Sequence, residues 1–404
     1  RPITLTSLTT IAGFLGLYFA ATMPPFKYFG LFVAVGVSVA WLYSLVFLPA
    51  SIAIFSPKAS KQFTDIKHKT GHDLFSKIMV LIGRISLRQP VITVAIGSVV
   101  IVAGLYSATG LRVNEDRIAT FDPSEAIYNA DETINRHFDG SSNIDVVFET
   151  PDVEGLFAVN NLKAMEAFQE YALTLPNVNA ATSIVDYLKQ MNRSLNEGRS
   201  DEYKLPSTKE LAAQYFLIYS ASSDPTDFEE EVDYDYRMAN VRLTLDESSF
   251  VQTKVVVEAL QQYIDEHLSG SDLTATLSGR VTLNYHWIKD LGESHFAGLL
   301  ISLFLVWAVS ALLFRSMLAG VFTLIPVGSA ILLVYSTMVL IGIDLGIGTS
   351  MFASVAIGLG VDFAIHTIDR LKSLYRAHNQ NIDAALKAMY PTTGRALLFN
   401  FLAI

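Results

Sequence analysis

Apolar residues fall in long uncharged intervals, each close to the ~20 residues that a helix needs to cross a bilayer core. The intervals are 2–26, 28–57, 89–111, 294–314, 316–343 and 345–368, the last with one interruption, and a seventh starts after Arg395. Six of them predict a polytopic helical membrane protein. Between the third and fourth the pattern changes. Residues 144–149, 239–245 and 273–277 alternate or cluster β-branched side chains, as strands do. Residues 159–173, 209–219 and 250–268 have helical spacing, with Leu162, Met165, Ala167 and Phe168 on one face and Val256, Leu260, Tyr263 and Ile264 on another. Strands alternating with long helices predict an inserted α+β domain, a small sandwich with one helical layer.

Two shorter segments are amphipathic. Leu74, Phe75, Ile78, Leu81, Ile82 and Ile85 form a stripe opposite Lys77, Arg84 and Arg88, as expected of a helix lying in the membrane interface. Ile382, Ala385, Leu386 and Met389 repeat this more weakly before Pro391, where the helix should end. An ordinary connector helix accounts equally well for the second segment.

Charge adds orientation. Of the 404 residues, 17% are charged, against roughly 25% in ordinary soluble domains, so a purely cytosolic globular enzyme is not expected. Residues 110–292 carry 14 of the 29 bases and 32 of the 39 acids, a net of −18, and the remainder carries +8. Placing Arg1, 58–88, Arg315 and 370–395 on the cytoplasmic side puts 14 bases there and leaves Lys27 alone in the opposite short loops. The expected organisation follows. Residues 1–57 hold two transmembrane helices, 58–90 a cytoplasmic linker with the interfacial helix, and 91–111 a third span. Residues 112–290 are an extracytoplasmic domain, 291–368 three more spans, 369–394 a cytoplasmic linker helix, and 395–404 the start of a further span. The expected location is the cell's inner membrane, multi-pass. Residues 224–235 hold seven acids and no base, and read as a solvated loop because they lack the glycine-punctuated spacing of a calcium loop.

The absence of cysteine removes disulfides, Cys-ligated zinc, iron–sulfur clusters and thiol catalysis. The sequence contains no nucleophile with a base, no phosphate-cradling glycine loop with lysine, and no nucleic-acid footprint. Covalent catalysis, a cofactor, ATP-driven transport and a nucleic-acid partner are therefore not expected. The chain starts at Arg1 rather than Met and stops inside an apolar run, so it reads as a piece of a longer protein. Residues 1–10 and 395–404 both open a span with arginine, a faint internal echo.

The interruption in the sixth interval is Asp362, roughly 8 Å from the middle of its span at 1.5 Å per residue. A carboxylate there costs at least about 2.5 to 3.5 kcal/mol on insertion scales and is tolerated mainly where it faces protein or water. Binding a proton removes that charge, so Asp362 is the expected proton-coupling residue, and a carboxylate that only pins a neighbouring helix is the structural alternative. Gly358 and Gly360 precede it, and either close helix packing or a hinge fits them. His366 lies four residues after Asp362 on the same face, placed either to relay protons or simply as an interfacial polar residue. Asp362, His366 and Asp369 share one helix with no second cluster, so no metal site is expected. Thr4, Thr6, Ser7, Thr9 and Thr10 crowd the first span, available to solvate a carboxylate or to bond back to their own carbonyls.

The spans with a large domain between the third and fourth, the stretch Leu312-Leu313-Phe314-Arg315-Ser316, the element Gly358-xxx-Asp362-Phe363 and the segment Asp186-Tyr187-Leu188-Lys189-Gln190-Met191-Asn192 together resemble the resistance-nodulation-division (RND) superfamily. The likeness is to its MmpL-like and hopanoid-exporter-like branch. It implies two halves of six spans, each with a porter-like, ferredoxin-like external domain, and paired intramembrane acids that couple proton entry to export. On that likeness the chain covers spans five to the start of eleven. Asp362 matches the proton-carrying acid of the second half, and Phe363 stands where a tyrosine is frequent. The first-half acid would lie upstream, and this piece alone should not transport. The implied partners are a hydrophobic or lipid substrate, protons, the N-terminal half of the same protein and further copies in a homo-oligomer. The first two spans also resemble the end of a sterol-sensing domain, so a membrane receptor or scaffold without transport is the rival expectation.

Overall fold

The computed structural model describes residues 2–56, 74–222 and 230–403. The first part of the linker 58–90 and the acids at 224–229 lie outside them. The chain divides into two compact units, Arg1–Arg112 with Asp290–Ile404, and Val113–Lys289.

The first unit opens with α1 (Pro2–Ala20), α2 (Pro24–Leu45), α3 (Phe47–Phe55), α4 (Leu74–Arg88) and α5 (Pro90–Ala108). The uncharged interval 2–26 overran the first helix. The chain turns at 21–23, Pro24 and Pro25 start α2 with φ already set for a helix, and Lys27 sits inside α2 with its ammonium 5.3 Å from the Tyr18 ring centre. A turn built from Ala, Thr and Met carries no charge to mark it.

The second unit contains α6 (Ala126–His137), β1 (Ser142–Glu149), α7 (Val159–Ala172), β2 (Val178–Thr182), α8 (Ile184–Leu195), α9 (Lys209–Ser222), β3 (Met238–Leu245), α10 (Phe250–His267) and β4 (Thr274–Ser278). The strands form one antiparallel sheet in the order β2-β3-β1-β4, with Val146 opposite both Val241 and Leu277. This is the β-α-β-β-α-β arrangement with α8 and α9 inserted at its middle. Alternation places Ile144, Val146 and Phe148 beside Val241, Leu243 and Leu245 in a core closed by Leu162, Met165 and Phe168 of α7 and Val256 and Leu260 of α10. The opposite sheet face is polar: Arg242 bridges Asp145 at 3.1 Å and Glu230 at 2.9 Å.

Ser183 starts α8 with a capping box. Its hydroxyl accepts the Val185 N–H, the Asp186 carboxylate accepts the Ser183 N–H, and Gln169 bonds both side chains. The described end of the acidic stretch is not a simple solvated loop. Asp233 accepts the N–H groups of Arg237 and Met238, and Glu230 pairs with Arg242.

The chain continues through α11 (Gly279–Phe314), α12 (Met317–Ile341), α13 (Ile347–Ala377), α14 (Ile382–Met389) and α15 (Arg395–Ala403). Within the first unit α1 packs on α2 and α13, and α12 on α13 and α5. Ser336 donates to the Gly104 carbonyl at 3.2 Å, fixing α12 to α5. α14 ends at Met389, two residues before Pro391, and Tyr390–Gly394 forms a wide π-type turn leading into α15, with Pro391 near its start, where a missing N–H is tolerated. Six helical segments among the described residues are long and apolar enough to cross a membrane: Ile3–Ala20, Pro24–Phe55, Pro90–Ala108, Gly279–Phe314, Met317–Ile341 and Ile347–Ala377.

Candidate proton-coupling site

α13 begins where the Thr349 hydroxyl accepts the Gly346 N–H, and then runs for 31 residues. Gly358, Asp362 and His366 follow one another at four-residue intervals and so share a face. α1 lies against that face. Gly358 makes the approach close: a Cβ there would stand 2.6 Å from Phe14 Cε2 and 3.4 Å from Thr10 Cγ2. Gly360 does not have this role, since a Cβ there would meet Val327 Cγ2 at an ordinary 3.6 Å.

The approach delivers one hydroxyl to two acceptors. Thr10 Oγ1 lies 3.1 Å from the Gly358 carbonyl and 3.3 Å from Asp362 Oδ1, in donating geometry to each. It has one hydrogen and serves one acceptor at a time. Of the neighbouring hydroxyls, Thr9 bonds back to the carbonyls of Leu5 and Thr6, and Thr4 accepts from the Trp41 indole at 3.4 Å. Both readings of the hydroxyl-rich span therefore hold, each for different residues. Phe363 has no hydroxyl to offer, and among the described residues Thr10 is the hydrogen-bond partner of Asp362, which has no ion pair. Asp362 is half-buried. His366 is also half-buried, and no hydrogen bond joins it to Asp362 among the described residues.

A second polar pair escaped sequence reasoning. His295 Nε2 of α11 and the Tyr335 hydroxyl of α12 share a 2.7 Å hydrogen bond. His295 and Ser350 of α13 line a cavity of about 20 Å³. Ser302 and Ser310 of α11 are buried with hydroxyls that have no partner among the described residues, and a Cβ on Gly16 would stand 2.7 Å from Ser302 Cα. The usable signal was spacing: His295 and Ser302 lie seven residues apart on one helix face. No group of three His, Asp or Glu among the described residues could hold a metal ion.

No curated protein matches the chain. The family model of the MMPL family matches residues 1–92 and 125–403, which takes in α1, α13 and both sides of the Thr10–Asp362 contact. With six apolar spans and a match over most of its length, the chain is a multi-pass membrane protein and belongs to the MMPL family of RND-type transporters.

Proposed function

We propose that the protein uses proton binding at Asp362 to drive export of hydrophobic or lipid-like molecules across the cytoplasmic membrane, with no covalent chemistry. Residues 113–289 would work on the extracytoplasmic side, as the positive-inside count supports. The observation that carries the reading is an acid inside a candidate span whose partner is a neutral hydroxyl rather than a base. A fixed arginine or lysine would hold the carboxylate permanently charged, whereas a hydroxyl accommodates both states.

Thr10 supplies the coupling. With Asp362 ionised, the Thr10 hydrogen goes to Oδ1. With Asp362 protonated, the acid has its own hydrogen and the Thr10 hydrogen turns to the Gly358 carbonyl 3.1 Å away. The α1–α13 contact therefore has two hydrogen-bond arrangements, and the proton selects between them. Phe14 packed on Gly358 transmits the change, since a close-packed contact has no slack to absorb it. Substrate, protons, the remainder of a longer protein and a homo-oligomer are the partners this reading calls for.

The test uses the full-length protein in vesicles with an imposed proton gradient and a fluorescent acyl lipid as probe. Asp362→Asn keeps the shape and the acceptor for Thr10 but cannot change charge. Gradient-dependent movement of the probe should fall to background, and full retention would overturn the proposal.

A further inference from the structure

A separate site is formed by the two short amphipathic helices. α4 ends at Arg88, two residues before the candidate span α5 starts, so it lies at a membrane boundary. α14 follows the end of another candidate span, α13. The two meet through small residues: Gly83 of α4 lies against the Tyr390 ring, where a Cβ would collide, and Met79 lies against Gly394. This docking uses the Ser76 and Gly83 side of α4 and, apart from Phe75 packed on Phe399 at 4.7 Å, leaves its apolar stripe uncovered, with Leu74, Leu81 and Ile85 each more than half exposed.

Between the helices is a cleft of about 550 Å³, within the range of small-molecule sites. Arg84, Arg88 and Lys387 line it together with Asp383, Leu87 and Tyr390. Asp383 is taken by Lys387 in an ion pair one turn away. Among the described residues neither Arg84 nor Arg88 has an ion pair, and at a spacing of four they sit side by side and repel. An anion between them removes that repulsion, and two guanidinium groups match the geometry of a phosphate.

We propose that this cleft binds the phosphate of an anionic phospholipid, with Arg84 and Arg88 holding the headgroup and the exposed Leu74–Leu81–Ile85 stripe lying along its acyl chains. Charge chooses anionic over zwitterionic lipid, because the cleft carries three cations against one carboxylate. Leu81 and Ile85, seven and three residues before Arg88 and so next to it round α4, choose a lipid over free phosphate, which has nothing to place there. Basic clefts at membrane boundaries attract anionic headgroups in this way. The site depends on the membrane placement of the spans and stands apart from proton coupling at Asp362.

The test is a lipid titration of the delipidated full-length protein in detergent, followed by native mass spectrometry. The probes are dioleoyl phosphatidylglycerol, dioleoyl phosphatidylcholine and inorganic phosphate. Each cation near a membrane surface contributes about fivefold in affinity, so the Arg84→Gln/Arg88→Gln variant should bind phosphatidylglycerol at least tenfold more weakly. Its binding of phosphatidylcholine should not change, and Lys387→Gln should lower phosphatidylglycerol binding several-fold. The Arg84→Lys/Arg88→Lys variant, which keeps the charge, should fall between. Equal affinity of the wild type for the two lipids would overturn the proposal, as would unchanged phosphatidylglycerol binding in the two glutamine variants. Displacement of the lipid by an equal concentration of inorganic phosphate would show a simple anion site and would also overturn it.

Discussion

Gly358 and Gly360 are one turn or less from Asp362 and look equivalent in sequence, but the structure separates them sharply. Replacing Gly by Ala in a helix interior stabilises by about 1 kcal/mol through propensity alone. At Gly360 that is nearly the whole effect, because the added methyl finds Val327 at 3.6 Å. At Gly358 the same methyl stands 2.6 Å from Phe14 Cε2 and 3.2 Å from Cζ, and Phe14 is itself 5% exposed and packed edge-on against Phe29 at 6.0 Å. Such overpacking costs about 1 to 3 kcal/mol. Propensity cancels between the two variants, so Gly358→Ala should be less stable than Gly360→Ala by about 1 to 3 kcal/mol, the steric part alone. The assay is unfolding of the detergent-solubilised protein by dodecyl sulfate, followed by tryptophan fluorescence. Phe14→Leu removes the colliding ring atoms, so in that background the gap should shrink by most of its value, a coupling of about 0.5 to 3 kcal/mol. Equal stability of the two alanine variants, or a gap untouched by Phe14→Leu, would refute the packing argument.

Three further outcomes are expected. Thr10→Val should slow transport of the fluorescent lipid about ten- to a hundredfold, because a hydrogen bond to a charged group contributes about 1.5 to 3 kcal/mol, while Thr10→Ser should stay near the wild type. Ser183→Ala loses the α8 cap and leaves Gln169 Oε1 without its hydroxyl donor, so the unfolding midpoint should fall by the equivalent of about 1 to 2 kcal/mol. Burial pushes the Glu231 carboxyl above its ordinary 4.5, with Glu230 adding to the rise and Arg242 opposing it. The folded state therefore holds that proton more tightly than the unfolded chain. Its contribution is complete below 4.5 and is lost as pH rises through the higher folded value. Glu231→Gln should accordingly be more stable than the wild type at neutral pH and lose that advantage in acid, as read from unfolding midpoints across a pH series.

The elements that were legible in sequence are those whose periodicity is long or strongly buried. Helix α7 was expected over 159–173 and spans Val159–Ala172, because Leu162, Met165 and Phe168 are wholly buried and therefore strictly spaced. Strand β2 was not legible: Val178-Asn179-Ala180-Ala181-Thr182 is short, alanine-rich and interrupted by a register shift at Val178/Ala180. Helix α6 has only a narrow apolar line, Ile127, Ala130 and Ile134, among polar residues, and none of its residues is buried. Membrane helix ends were blurred for a different reason. A turn such as 21–23, with Met23 buried, needs no charge, and conversely α13 carries Asp369, Arg370 and Lys372 without breaking.

The site was half visible. Asp362 stands out because a lone acid in an apolar interval has an energetic cost that calls for a reason. Its partner could not be singled out, because Thr10 is one of five serine and threonine hydroxyls in the first span and is 352 positions distant in sequence. The His295–Tyr335 bond joins residues 40 apart on two helices, and no periodicity within either helix records it.

In the proposed function the Asp362 carboxyl exchanges a proton while α13 remains packed against α1. Infrared difference spectra of the full-length protein in membranes, taken while the external pH is stepped, read that exchange directly through the C=O stretch of a protonated carboxylic acid. Such a band should appear and disappear reversibly in the wild type and be missing from Asp362→Asn. A wild-type spectrum without it, or one that Asp362→Asn reproduces, would contradict proton exchange at Asp362.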